Sequence, residues 1–255
     1  MIIHHDVIQG TPEWHALRLA VTGSENHKLF ALNTDKPKFS LPKTLGAKPT
    51  KPQIKAFNKQ KIVPTQLPFK PIPKFKLSQG KQARDYLAQV VEQLQGGFSF
   101  DEIEDFEKYE SYEMKKGKLL EEEAKEWFTQ GKYGWENVGF IEHDSKMLAV
   151  SPDHVQFALG EDKITAGLEV KCPQSKNGYI TLRDCKNGQD LYEAKSEYWW
   201  QTQECMYVCE LEEWHFLSYV RDRRLKRNTF IVEADKEAFK MFDLIKEKLQ
   251  NELSK

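Results

Sequence analysis

Apolar residues recur at helical spacing in several segments of the chain. Between residues 81 and 94 they fall every three or four positions, which predicts an amphipathic helix that the pair Gly96-Gly97 would end. The same spacing predicts three further helices, one of them at the C-terminal end. The four helices are predicted at Lys81–Leu94, Tyr109–Thr129, Leu191–Cys209 and from Asp235 onward.

After the second of these helices the apolar period changes to two, which is typical of strands. Asp144-Ser145 separates the first two strands and predicts a hairpin between them. Strands are predicted at Val138–Ile141, Met147–Val150, Ala166–Val170, Trp214–Val220 and Thr229–Val232. This order of helices and strands predicts an α/β sandwich.

Two capping patterns lie near the N-terminus. Thr11-Pro12-Glu13 has the form of an N-cap followed by proline at the first helical position, and it predicts a short helix that runs through Trp14 to Leu19. Thr22-Gly23-Ser24-Glu25 predicts the start of another helix.

Residues 31–76 differ in composition from the rest of the chain. They contain eleven lysines, one acid and eight of the eleven prolines. Because proline removes a backbone donor and restrains its predecessor, we expect an extended insertion within a single domain of residues 1–255. Its net charge of +10, in a chain whose total is −1, leaves −11 for the remaining residues. The insertion is either a solvated linker or an arm that follows nucleic-acid phosphates.

The chain carries no sign of a membrane or an oxidising compartment. No apolar run approaches the roughly 20 residues that span a bilayer, and the N-terminus lacks a signal pattern. The four cysteines form no CxxC pair and no zinc-finger spacing, so we expect free thiols, although an iron–sulfur site is the alternative. These features predict a soluble protein in the cytoplasm.

Three charged residues form a pattern suited to phosphodiester hydrolysis, which needs carboxylates around divalent cations and a group that orients water. Asp153 follows a predicted strand, in Ser151-Pro152-Asp153. Glu169 and Lys171 lie two apart in the next strand, so both side chains point to one face. Such charges are costly to bury unless metal or substrate binds them. The alternative is a solvated strand end with a salt bridge.

These residues belong to five separated stretches by which the chain resembles the lambda-exonuclease or YqaJ-type viral recombinases of the PD-(D/E)xK nuclease superfamily. The resemblance implies a restriction-endonuclease-like core with a central mixed sheet flanked by helices. It covers most of the chain outside the basic insertion. The stretches are Trp14–Arg18 with Thr22–Ser24, Gly117–Glu121 with Ala124, Ser151–Asp153, Leu168–Pro173 and Tyr198–Gln203.

The resemblance implies that a metal lies between the strands. Asp153 and Glu169 would bind Mg²⁺, for which Mn²⁺ can substitute, with help from the backbone carbonyl of Val170. Lys171 would orient the attacking water and stabilise developing charge.

Two helices are implied to add further catalytic residues. Glu121 lies one turn after Gly117, whose missing side chain would leave open the face from which Glu121 reaches the metal. Without the resemblance, Glu121 is one acid in the run Glu121–Glu123. Gln201 would face the site from the later helix, with Tyr198 in support one turn earlier. A polar helix surface is the alternative for Gln201.

Arg18 and Ser24 match family positions that hold the 5′-terminal phosphate of a DNA end. A guanidinium fork suits a phosphate, and a serine at a helix start adds a hydroxyl beside exposed backbone donors. The alternatives are a surface arginine and an ordinary N-cap. His154 stands where the family often has glycine, and we expect it to be inert.

The resemblance implies a Mg²⁺-dependent exonuclease that degrades linear double-stranded DNA 5′ to 3′ and leaves 3′ tails for phage-type recombination. It also implies a single-strand annealing protein as partner and a ring trimer as a possible assembly. The alternatives are a restriction-like or structure-specific endonuclease, and a non-catalytic module that binds DNA ends.

Overall fold

The computed structural model describes most of the chain. It covers residues 1–11, 13–14, 20–33, 74–96 and 112–255, with only the backbone described at 112–116. Most of the basic insertion and of the predicted helix between Thr11 and Leu19 lies outside the described residues. Residues 97–111 lie outside them as well.

The described residues include eleven strands and six α-helices. The strands are β1 (Ile2–His4), β2 (Val21–Thr22), β3 (Phe30–Leu32), β4 (Phe75–Leu77), β5 (Trp135–Glu136), β6 (Phe140–Glu142), β7 (Leu148–Val150), β8 (His154–Phe157), β9 (Ile164–Lys171), β10 (Glu213–Ser218) and β11 (Asn228–Glu233). The helices are α1 (Lys81–Gly96), α2 (Tyr112–Thr129), α3 (Lys176–Arg183), α4 (Gly188–Ala194), α5 (Ser196–Cys209) and α6 (Lys236–Leu253). None of the described helices has the length and apolar character needed to cross a membrane.

The chain divides into two units by its contacts. The larger unit is Met1–Phe30 with Leu77–Lys255, and the smaller is Ala31–Lys76. In the described part of the smaller unit, the Asn33 amide donates to the Lys74 carbonyl oxygen (2.9 Å). β3 and β4 pair as a two-stranded sheet.

A five-stranded mixed sheet, in the order β11-β10-β9-β8-β5, carries most of the core. β9 and β10 run parallel, whereas the other neighbours are antiparallel. Leu168 and Val170 of β9 pack with Ala124 and Phe128 of α2 on one face. The helix α5 contacts β9 and β10 as well. The sheet between helices predicted from the sequence is therefore present.

A second sheet has the order β1-β6-β7-β2. β6 and β7 form the hairpin predicted around Asp144-Ser145, with Ile141 opposite Val150. That prediction is confirmed. β2 runs parallel to β7, with Val21 opposite Leu148.

Two predicted helices are wrong in detail. The helix expected to start at Thr22 is strand β2, followed by a short 3-10 helix at Asn26–Leu29, because Val21 and Thr22 pair with the hairpin. The helix expected over Leu191–Cys209 is divided into α4 and α5 at Lys195, whose backbone (φ −154, ψ 81) leaves the helical region. The predicted start of the last helix is confirmed, since Asp235 accepts from the backbone N–H groups of Glu237 and Ala238.

Candidate active site

The carboxyl end of β9 places two charged side chains side by side. Glu169 is fully buried, and its Oε1 forms an ion pair with Lys171 Nζ. Glu169 Oε2 is also buried and has no hydrogen-bond partner among the described residues. Burial raises the pKa of Glu169, although Lys171 opposes the shift. Burial alone would lower the pKa of Lys171, but Glu169 and Asp153 hold it above its ordinary value.

Asp153 lies next to this pair through the pairing of β8 with β9. It does not end a strand as predicted, because β7 stops at Val150 and Asp153 directly precedes the unpredicted strand β8. Its Oδ2 accepts from the backbone N–H of Val170 (2.6 Å). Burial, and then the negative charge of Glu169, raise the pKa of Asp153 to about 7. A carboxylate at this position is therefore stabilised by added positive charge.

Glu121 approaches the same site from α2. Its Oε1 pairs with Lys125 Nζ at 2.9 Å, and burial followed by the charge of Asp153 raises its pKa. A side chain at Gly117 would meet nothing within 4 Å, which agrees with the open helix face expected there. Glu121 therefore adds a third carboxylate, one that a lysine already balances.

Lys125 is a charged residue of this site that the sequence analysis missed. Its side chain is only 8% exposed, which is unusual for lysine, and it also pairs with Glu122 Oε1 (2.9 Å). Its position four residues after Glu121 is the signal that predicts such a pair on a helix. Lys125 and Lys171 together balance part of the negative charge of the three carboxylates.

The helix α5 brings Tyr198 against the catalytic lysine predicted from the sequence. Lys171 Nζ lies 5.0 Å from the centroid of the Tyr198 ring, a cation–π geometry. One turn later, Gln201 packs against Gly23, where an added Cβ would lie 3.2 Å from Gln201 Cγ. Gln201 therefore links the α5 side of the site to the segment that carries Ser24.

A pocket of about 180 Å³ lies between that segment, α5 and the strand β7. The ring nitrogen of Trp14 donates to Ser151 Oγ (2.8 Å) and to the Gly139 carbonyl oxygen (3.0 Å), which fixes one wall. All five sequence stretches thus contribute residues to the site or to the pocket beside it. The pocket is lined by residues that include Trp14, Gly23, Ser24, Ser151, Gln201 and Cys205.

Of the two residues expected to hold a terminal phosphate, the structure describes Ser24. Ser24 lines the pocket but does not cap a helix, because Glu25 occupies the cap position of the 3-10 helix and makes no side-chain cap. The predicted helix-start geometry at Ser24 is therefore wrong. Arg18 lies outside the described residues.

A buried polar link fixes the Ser24 segment on α5. Asn26 Nδ2 donates to the Trp200 carbonyl oxygen (2.9 Å) and to Glu204 Oε2 (2.7 Å), and both Asn26 and Glu204 are fully buried. Such a link is costly to break inside a protein. It holds the Ser24 turn close to Gln201.

His154 and the cysteines take structural positions. His154 Nδ1 lies 2.8 Å from Asn137 Oδ1, and the ring stacks on Trp135. Burial lowers the pKa of His154 to about 4, so the imidazole is neutral near pH 7. The four cysteines form no disulfide bond.

A divalent cation fits the donor set at this site. Within the described part of the chain, no three His, Cys, Asp or Glu side chains are grouped closely enough to hold a metal ion as they stand. The carboxylates of Glu121, Glu169 and Asp153 are engaged by Lys125, by Lys171 and by the Val170 amide, respectively. However, Glu169 Oε2 is a buried oxygen without a partner among the described residues, and oxygen ligands are those that Mg²⁺ prefers. A metal bound by Glu121 would compete with the ion pair that this carboxylate makes with Lys125.

Comparison with known proteins identifies the family. The family model of the YqaJ-like viral recombinase domain matches residues 13–212. No curated protein matches the chain.

Solved structures share the fold at low identity. The alkaline exonuclease LHK-Exo from Laribacter hongkongensis has a TM-score of 0.55 at 18% identity, covering 96% of this chain and 93% of that chain. LHK-Exo in complex with dAMP gives a TM-score of 0.54 at 18% identity with the same coverage. A phage-related exonuclease from Haemophilus somnus 129PT gives 0.50 at 15% identity, covering 92% of this chain and 93% of that chain.

The resemblance and the fold class predicted from the sequence are both confirmed. At these identities the structural comparison shows a shared fold, whereas the match to the family model shows membership of the family. Together they support a nuclease of the lambda-exonuclease type. The chain belongs to the YqaJ-like viral recombinase domain family.

Proposed function

We propose that the chain is a Mg²⁺-dependent exonuclease that degrades linear double-stranded DNA from 5′ to 3′ and leaves 3′ single-stranded tails for recombination. The observation that carries the proposal is the clustering of Glu121, Asp153 and Glu169, with Lys171, at the carboxyl end of the central strand β9. A buried carboxylate oxygen without a partner among the described residues adds to it. The family and the exonuclease neighbours support the reaction type.

The carboxylates of Asp153, Glu169 and Glu121, with the Val170 carbonyl, would hold the metal. When bound, Mg²⁺ would offset the charge of the carboxylates and the phosphodiester and lower the pKa of water. The Val170 N–H already fixes one oxygen of Asp153, so this carboxylate needs little reorganisation. Mn²⁺ has similar oxygen preferences and would substitute.

Lys171 would orient the attacking water and stabilise the charge that develops on the phosphate. Its ammonium group is held between the Glu169 carboxylate and the Tyr198 ring. A preorganised cation stabilises a transition state without reorganising as the charge develops. Gln201 would add a polar contact from α5 beside the pocket.

The pocket beside Ser24 would hold the 5′-phosphate, with Arg18 as its cation. A terminal phosphate bound here would set which strand is cut and from which end. The single-strand annealing partner and the ring trimer that the resemblance implies stay predictions.

A time course on linear duplex labelled at either end tests the reaction, its direction and its metal requirement together. We expect loss of the 5′-labelled nucleotide first, dependence on Mg²⁺ and no attack on covalently closed circular duplex. Cleavage of the closed circle would favour the endonuclease alternative. Absence of any Mg²⁺- or Mn²⁺-dependent degradation by folded protein would favour a non-catalytic module that binds DNA ends.

The same assay tests the end pocket. Duplex with a 5′-phosphate should be degraded faster than duplex with a 5′-hydroxyl, and Arg18→Ala should lose most of that preference, because a charge-assisted contact contributes roughly 1.5–3 kcal/mol. Equal rates of the wild-type protein on both ends would contradict the assignment of Arg18 and Ser24.

A further inference from the structure

A strongly basic loop leaves the sheet beside the candidate active site. β10 ends at Ser218, opposite Lys171 in the parallel pair with β9, and the Tyr219 amide donates to the Lys171 carbonyl oxygen (2.9 Å). The connection to β11 then carries five basic residues and one acid within residues 221–227. We call residues 221–227 the basic loop.

The first end of the basic loop is fixed to the helix that carries Glu121. Arg221 Nε donates to Glu123 Oε2 (2.7 Å), and the Tyr219 hydroxyl donates to Glu123 Oε1 (2.5 Å). Glu123 lies two residues after Glu121 on α2. The loop therefore starts at a defined place between α2 and the end of β9, one strand from Lys171, although Glu123 and Glu121 point to different sides of the helix.

The other end of the loop is fixed by an arginine that packs on aromatic rings. The Arg227 guanidinium lies 4.6 Å from the Tyr219 ring centroid and 5.1 Å from that of Trp127. Arg227 Nε also donates to the Val220 carbonyl oxygen (3.1 Å). With both ends held, the middle of the loop loses little conformational entropy when a ligand binds.

The middle of the loop presents its charges to solvent. Arg223, Arg224 and Lys226 are all exposed, and the Arg224 side chain is 89% exposed. The single acid of the loop, Asp222, pairs with Arg224 (2.7 Å). The three exposed cations outnumber the one acid, so the middle of the loop presents a net positive charge to solvent.

The helix α3 extends the same basic surface. Lys226 Nζ donates to the Arg183 carbonyl oxygen (3.3 Å), and the Lys226 amide donates to the Tyr179 hydroxyl (3.2 Å). Lys176 and Lys186 lie on or just after this helix and are exposed. The surface thus continues from the end of β10 to the helix that follows β9.

We propose that the basic loop binds the phosphodiester backbone of the DNA next to the cleavage site, an inference that rests on the proposed function. Outside residues 31–76 the chain carries a net −11, so this concentration of cations is local. The cations of the loop repel one another, so a bound anion would stabilise them, and arginine side chains match the geometry of phosphate oxygens. The phosphodiester backbone of DNA supplies such anions, and its binding does not depend on the base sequence.

The test compares two triple variants that each remove three positive charges. Arg223→Gln/Arg224→Gln/Lys226→Gln changes the loop but leaves its anchors, Arg221 and Arg227, in place. Lys236→Gln/Lys240→Gln/Lys248→Gln changes α6, which packs against α1 and α5. Binding of labelled duplex is measured by fluorescence anisotropy with Ca²⁺ in place of Mg²⁺, over a series of salt concentrations. Circular dichroism checks that both variants fold.

We expect the loop variant to bind more weakly, equally so for duplexes of different sequence, with a salt slope lower by about one for each phosphate that the loop no longer neutralises. The α6 variant should bind as the wild-type protein does. Equal affinity and slope for the folded loop variant and the wild-type protein would overturn the inference. If the wild-type protein binds duplex but never cleaves it with Mg²⁺, the proposed function fails, and the salt slope still decides the role of the loop.

Discussion

At the scale of single residues, the candidate site buries several charged side chains, which is energetically unfavourable. Glu169 is fully buried, and Asp153 and Lys125 are buried as well. Isolated charges at such positions are costly, whereas paired charges and bound cations offset one another. Single substitutions in the candidate site should therefore separate its effect on stability from its proposed role in cleavage.

Removal of Lys171 should affect both cleavage and stability. Lys171→Met leaves Glu169 buried without its partner, and breaking a buried pair costs about 3–5 kcal/mol. Glu169→Gln/Lys171→Met removes both charges, so we expect it to regain most of that loss in urea unfolding. Both variants should cleave DNA more slowly than the wild-type protein, by on the order of a hundredfold or more.

Lys195→Met is the matched control, because Lys195 also lies close to Tyr198 but pairs with Glu197 (3.2 Å) on the protein surface. It should unfold at nearly the same urea concentration as the wild-type protein. A stable Lys171→Met protein that still cleaves DNA would contradict both the ion pair and the catalytic role.

Asp153 should make stability depend on pH in the metal-free protein. Its pKa in the folded protein is about 7, above the ordinary value of 3.8, so the folded state holds the proton more tightly. The contribution of Asp153 to the free energy of unfolding is therefore fully present below about pH 4 and is lost as the pH rises through about 7. Asp153→Asn removes the charge and its amide oxygen still accepts from Val170 N–H.

We therefore expect the thermal midpoint of Asp153→Asn to exceed that of the wild-type protein at pH 8, by a margin that shrinks toward pH 4. At pH 8 the two proteins should differ in free energy of unfolding by on the order of a few kcal/mol. The exposed Asp85→Asn on α1 serves as the control and should show no such trend. A difference that stays constant with pH would mean that Asp153 does not titrate near 7.

At the scale of secondary structure, β9 combines the candidate catalytic residues at its end with a tightly packed middle. A Cβ added at Gly167 would lie 2.1 Å from the ring of Trp214, which is fully buried on β10. Only glycine allows the two strands to place this ring where it is. Glu169 follows two residues later on the same face, so its position depends on this packing.

Gly167→Ala should therefore destabilise the protein, since overpacking a core costs about 1–3 kcal/mol and this ring has little room to move. The measurement is the free energy of unfolding in urea. Gly117→Ala on α2 is the matched control, because its added Cβ meets nothing within 4 Å and alanine favours helix. Equal stability of Gly167→Ala and the wild-type protein would show that the ring can shift.

At the scale of the whole molecule, the chain combines a family fold with an unusual distribution of charge. Residues 31–76 carry +10 and the rest −11, while the basic loop is a local exception near the candidate site. Two separate basic segments would each bind phosphates, and each phosphate bound adds to the salt dependence of binding. The contributions of the two segments to the salt dependence of DNA binding should therefore be separable by substitution.

Replacing residues 36–72 with a short Gly-Ser linker should weaken DNA binding most at low salt and lower its salt slope. The replacement stops at residue 72 so that β4 is kept. Changing the nine lysines of this stretch to glutamine at full length is the matched comparison and should have the same effect. Cleavage at saturating DNA should survive in both proteins. An unchanged slope in both would identify the segment as a passive linker.

The sequence by itself determined the elements whose signals are local. The helical period of α1 and α6, the turn between β6 and β7 and the alternation that points Glu169 and Lys171 to one face all depend on neighbouring residues. The five stretches also identified the family, because their order along the chain is written in the sequence. Local signals failed where a distant partner competed, as at Thr22, which pairs with β7.

Only the tertiary structure decided which charges meet. That Asp153 accepts from the Val170 amide, that the Glu121–Lys125 pair of α2 lies close to Asp153 and that the basic loop starts beside Lys171 all follow from strands and helices that meet although they are separated in sequence. The composition of the loop was visible in the sequence, but its position beside the carboxylates was not. Long-range pairing sets these distances, and no local period encodes them.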